Sequence, residues 1–100
     1  MHDLDRRHKT QRRLILQYLI LAGFRWIPPR SLMLELRDKG YATSWKTLNF
    51  HLGFLEDEGW VKLERGRMSE AALAEDEEIK GVMVTAAGVK AHDRGDLDER

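Results

Sequence analysis

The sequence predicts a mainly α-helical domain: three core helices, a small β-hairpin and a last helix. Three observations lead there. Leu48, Leu52 and Leu55 recur at i, i+4 and i+7 between Ser44, a good N-cap, and Gly59, a good helix stop. Trp60 to Arg65 and Lys80 to Thr85 alternate apolar and polar residues as half-buried strands do. A chain of 100 residues that is 42% hydrophobic suits one domain with a modest core. That domain is expected over residues 1–95, with a disordered tail at 96–100.

Taken in order, Met1 to Thr10 is charged and mixed in sign, and its start is expected to fray. Arg6, Arg7, Lys9, Arg12 and Arg13 cluster there. They read as a solvated helix start or, more sharply, as an arm whose Arg6, Arg7, Lys9 and Arg12 contact phosphate. Basic residues at a helix N-terminus oppose the macrodipole, so helix stability does not account for them. The first helix is expected over about His8 to Ala22, with Leu14, Ile15, Tyr18, Leu19 and Ala22 on one stripe. Leu16 and Ile20 fall on the far side. They are expected either to form a homodimer interface or to lie under the C-terminal helix.

Phe24-Arg25-Trp26-Ile27 reads as a short extended piece, with Trp26 packing on core or strand. Pro28-Pro29 then opens a second helix, about Arg30 to Lys39, with Leu32, Met33 and Leu36 inward. Gly40 to Thr43 is the turn between crossed helices, and small Ala42 is expected beneath the crossing. The third helix follows at residues 44–58. Trp45 and His51 flank its leucine stripe, His51 in a structural role, while Lys46, Asn49, Phe50 and Gly53 face the other way. If that face enters a major groove, Ser44, Lys46 and Thr47 meet phosphate or base edges, Asn49 pairs with adenine, and Phe50 covers a thymine methyl. The acidic Glu56-Asp57-Glu58 is expected to lie away from such a groove.

In the hairpin, Val61, Leu63, Val82 and Val84 point inward. About fourteen residues separate the strands, many more than a tight turn needs. They include Arg67, a candidate phosphate contact near the base, a helix-like Ser69 to Ala74, and the acidic run Glu75 to Glu78. That run is expected to fold aside from DNA or to meet a basic protein partner. Thr85 caps a last helix, about Ala86 to Asp93, anchored by Val89.

Two segments carry a family resemblance. Thr47-Leu48-Asn49-Phe50-His51-Leu52-Gly53-Phe54-Leu55-Glu56-Asp57-Glu58-Gly59-Trp60-Val61 resembles the third helix and first wing strand of bacterial winged helix-turn-helix regulators of the ArsR, MarR and PadR kind. Val84-Thr85-Ala86-Ala87-Gly88 looks like the segment that closes the wing and opens the last helix in those proteins. The whole chain is most similar to the small winged-helix proteins of Mu-like prophages, over about Gln11 to Gly95. The resemblance implies a winged helix-turn-helix fold, double-stranded DNA as partner, transcription regulation and a homodimer.

Composition bounds the rest. Without Cys there is no disulfide framework, thiolate metal site or cysteine nucleophile. His2, His8, His51 and His92 show no metal-ligand spacing, and neither a phosphate-cradling Gly loop nor a nucleophile elbow occurs. The expectation is no enzyme, no cofactor and no metal. No run is long and apolar enough for a membrane span or a signal peptide, so a cytoplasmic protein is expected. Net charge is zero, unlike the basic footprint usual for DNA binders. It is unevenly spread, since residues 1–30 hold seven Arg/Lys against two Asp, a net of +5. The neutral balance, the absence of Arg from the third helix and the acidic loop favour the alternative, a winged-helix protein–protein interaction module.

Overall fold

The computed structural model describes residues 2–66 and 78–95, and within them the side chains other than those of residues 2–5 and 78. The element order is α1 (His2–Ala22), α2 (Pro29–Asp38), α3 (Trp45–Asp57), β1 (Val61–Gly66), β2 (Glu78–Val84) and α4 (Ala86–Arg94). It is the three-helix core, hairpin and final helix that the sequence predicts. Arg67, the helix-like Ser69 to Ala74, most of the acidic run and the 96–100 tail lie outside the described residues.

Helix α1 begins earlier than expected, at His2, not about His8. Thr10 Oγ1 donates to the Arg6 carbonyl at 2.9 Å within this first part. Pro28 precedes α2 in an extended conformation, and Pro29 opens the helix where its missing N–H is harmless. Ser44 caps α3, its hydroxyl accepting the Thr47 N–H at 3.1 Å. Gly59 ends the helix at φ 79°, a left-handed conformation that a side chain resists.

The hairpin is antiparallel, with Val61 opposite Val84 and Leu63 opposite Val82. A register shift falls between Glu64 and Arg65. The expected first strand shrinks to one bridge, in which Ile27 and Val82 exchange both backbone bonds at 2.8 Å. Trp26 lies over Gly81, still 46% exposed, so it packs on the strand and not in the core.

The two sequence segments that carry the family resemblance meet at one corner. Thr85 Oγ1 donates to the Gly59 carbonyl at 2.7 Å and accepts the Gly88 N–H at 3.0 Å. Gly88 is buried because the Trp60 backbone carbonyl occupies the space its Cβ would need. Val89 is half-buried and packs against the core, while Gly88 and Ala91 are the fully buried residues of α4. The close approach requires small residues, which a search for large apolar anchors overlooks.

The core joins Ile15, Leu16 and Leu19 of α1, Leu32, Met33 and Leu36 of α2, the α3 leucines, Trp60, Val61, Val82, Val84 and Ala91. Of the two expectations for Leu16 and Ile20, a homodimer interface or cover within the chain, the structure supports the second. Leu16 is 0% exposed and Ile20 packs against the core, because α1 is contacted by α2, α3, β2 and α4 and buries more than one stripe.

Truncating Leu52 to Ala should lower unfolding free energy by ~2–5 kcal/mol in urea titrations. Gly88→Ala should cost about 1–3 kcal/mol although it adds only a methyl group, because backbone must move to admit it. A melting temperature unchanged by either substitution would contradict the corresponding placement.

Candidate nucleic-acid interface

Helix α3 is oriented from below. Leu48, Leu52, Leu55 and His51 are all 0% exposed, so the opposite face is turned outward by helical geometry. Lys46 and Asn49 are exposed, Phe50 is 58% exposed, and Gly53 is half-buried with open space where a Cβ would stand. Trp45 is 53% exposed and so belongs to the outer surface, where the sequence suggested a flank of the stripe.

Ser44 and Thr47 are partly committed to each other. The Ser44 hydroxyl accepts the Thr47 N–H and donates to Thr47 Oγ1 at 3.1 Å. Thr47 keeps its own hydroxyl proton as a donor to an outside acceptor.

Part of the acidic end of α3 shares its outer face. Asp57 is exposed and follows Phe50 by seven residues, nearly two turns, so it shares that outer face. Glu56 follows Asn49 by the same interval. Arg65 of β1 donates to Glu56 through both terminal nitrogens, at 2.8 and 2.7 Å. Those hydrogen bonds hold the Glu56 carboxyl below the usual range against the opposing effect of burial, with the Arg65 charge adding the least.

The beginning of α1 lies beside this helix and the turn before it. His8 stands 6.2 Å from the Phe50 ring and 5.1 Å, edge-on, from the His51 ring. The Arg7 guanidinium lies 5.7 Å from the Tyr41 ring, and that of Arg12 lies 4.1 Å from the Phe54 ring. Arg6 and Arg7 are exposed, whereas Lys9 and Arg12 are half-buried. Of the candidate phosphate contacts, Arg6 and Arg7 are therefore the more exposed, and the Arg12 guanidinium sits over the Phe54 ring of α3.

Beneath them is a buried polar junction that the sequence did not suggest. Gln11 Oε1 accepts from Thr43 Oγ1 at 3.0 Å and from His51 Nε2 at 3.3 Å. Gln11, Thr43 and His51 are 5%, 6% and 0% exposed, and come from α1, the α2–α3 turn and α3. Thr43, not the exposed Ala42, fills the crossing, because its hydroxyl satisfies Gln11. The clue lay in spacing, since Gln11 precedes Ile15 by four and sits on the inner stripe of its helix. His51 Nδ1 is buried without a hydrogen-bond partner among the described residues. Burial first, then the charges of Arg12 and His8, lower the His51 pKa from 6.5 to about 4. Among the described residues no group of three or more His, Cys, Asp or Glu is placed to hold a metal ion.

With this geometry in view, the fold has a solved counterpart. The chain superposes on a PadR-like transcription factor from Bacteroides fragilis with a TM-score of 0.69, covering 96% of this chain and 85% of that one. The fold is that of a winged helix-turn-helix. Sequence identity in the superposition is 12%, so the likeness is one of architecture. No protein-family model matches the sequence, and no curated protein does. In winged-helix vocabulary α2 and α3 are the helix-turn-helix and β1–β2 the wing. No helix of the described residues is long and apolar enough to cross a membrane.

The buried His51 has a measurable signature. Its folded pKa is depressed, so its stabilising contribution is complete above about pH 6.5. That contribution is lost as pH falls toward 4, because the unfolded chain takes up a proton that the fold resists. The loss should reach roughly 3 kcal/mol. In denaturant titrations across this range, His51→Gln should show a flatter acid limb than the unmodified chain. Equal slopes would place a solvated histidine at this position.

Proposed function

We propose that the chain is a double-stranded DNA-binding transcriptional regulator that inserts α3 into the major groove. One observation carries the reading: the helix is held by its leucines so that Lys46, Asn49 and Phe50 face outward beside the basic start of α1. A helix of a helix-turn-helix reads bases with its N-terminal half, which is where Lys46, Thr47 and Asn49 stand. Asn49 offers the donor–acceptor pair that adenine accepts, and Phe50 an apolar surface for a thymine methyl. Ser44, Lys46, Arg6 and Arg7 supply backbone contacts that position the helix without reading sequence. Arg67, in the wing loop, belongs to this reading from the sequence alone.

The overall charge of zero is compatible with this role, since association responds to where charges lie as well as to their sum. Regulation of transcription and prophage kinship rest on the sequence resemblance, and cytoplasmic placement on a sequence without a run suited to a membrane span or signal peptide. Pairing into a homodimer also rests on the resemblance. Since Leu16 is buried, a second copy would meet other apolar side chains, among which Leu21, Phe24 and Leu34 are 80%, 58% and 54% exposed.

A second reading, a winged-helix module that binds a protein, is favoured by exposed Trp45 and Phe50 on a face that ends in Asp57. A mobility-shift assay against random duplex DNA at low salt separates the two. The DNA reading expects binding that weakens steeply with salt, and Lys46→Ala should remove about one unit from the log–log salt slope. Absence of binding at low salt, together with recovery of a protein partner, would decide for the second.

A further inference from the structure

Arg65 shares one face of β1 with Val61 and Leu63 by strand alternation, and the register shift beside it leaves Lys80 of β2 as the extra residue. Here the guanidinium is directed back onto α3, where it meets both carboxylate oxygens of Glu56 at 2.7 and 2.8 Å. Glu56 lies on the wing-side edge of the helix, about 10 Å along the axis from Asn49. Trp45, four residues before Asn49, begins the same edge. The pair is accessible, with 42% of the Arg65 and 33% of the Glu56 side chain exposed.

Phosphate offers a guanidinium the same two-oxygen fork as a carboxylate. Exposed carboxylate–guanidinium pairs have small net worth, so the exchange requires no unfolding. We propose that Glu56 is a built-in competitor for DNA phosphate: it occupies Arg65 beside the reading face, and the duplex backbone takes over those hydrogen bonds on docking. This rests on the DNA reading above and deepens it. Arg65 becomes the wing's phosphate contact, and Glu56 an anti-determinant that restrains nonspecific affinity. The bared carboxylate repels the phosphate that replaces it, so only a duplex seated well on α3 compensates for the exchange. The device also explains why an acidic side chain on this surface is tolerated.

The test is a double-mutant cycle on the full chain, with random-sequence duplex DNA as the probe and binding measured over a salt series. Glu56→Gln should tighten binding roughly threefold or more at low salt, because an amide does not hold the guanidinium by charge. It should also steepen the log–log salt slope by about one unit. In an Arg65→Ala background the same substitution should lose most of its effect. Equal tightening with and without Arg65 would reduce Glu56 to a general repulsive charge and overturn the competition, leaving the DNA reading standing. No salt-sensitive binding by the unmodified chain overturns both. Both side chains are on the surface, and thermal melts of the variants check that folding is retained.

Discussion

Burial of Leu48, Leu52 and Leu55 sets the rotation of α3, and every outer contact follows from it. Each leucine removed from water contributes about 1.5–3 kcal/mol. Three together are comparable with the net stability of a small domain, about 5–15 kcal/mol. A turn of the helix that exchanged its faces would expose all three and bury Lys46, Asn49 and Asp57 in their place. No alternative orientation competes, and the outward direction of Lys46, Asn49 and Phe50 is a consequence of core packing.

The leucines set rotation, but apolar contacts are weakly directional and leave sliding and tilt less well defined. The junction of Gln11, Thr43 and His51 supplies that definition. It joins α1, the α2–α3 turn and α3 through one carboxamide oxygen. Displacing any of the three strands a buried polar group, which costs more than the hydrogen bond itself contributes. The same junction brings the basic start of α1 alongside the outer helix. His8, Arg7 and Arg12 then pack on Phe50, Tyr41 and Phe54. A chain with no net charge thus sets its basic start beside the outer face of α3. Glu56, set against Arg65, moderates that surface from the wing side.

Much of the fold was legible because it is written in local patterns. The Ser44 cap, the Gly59 stop, the Thr85 cap and the inward set of Val61, Val82 and Val84 each depend on neighbours within a turn or two, or on strand alternation. What misled was any inference about which surface a distant element would cover. Leu16 looked surplus because a single stripe was assigned to α1, yet several elements pack on that helix. The small size of Ala42 suits it to the crossing, but Thr43 is there because its hydroxyl donates to Gln11. Val89 packs on the core as its bulk suggests, but the approach of the Trp60 carbonyl, which demands Gly88, is invisible to a reading of apolar residues. For the candidate site, the outer set on α3 was readable from periodicity, and the Arg65 pairing was not.

By itself the sequence determined the elements, their order, and which side of α3 is apolar, since residues a few positions apart share a face by helical or strand geometry alone. The tertiary structure alone decided that Leu16 is interior, that Gln11, Thr43 and His51 converge, and that Arg65 closes on Glu56. Gln11 and His51 are forty positions apart. Their meeting depends on how three helices pack in space, and neither spacing nor composition carries the angle or depth of that packing.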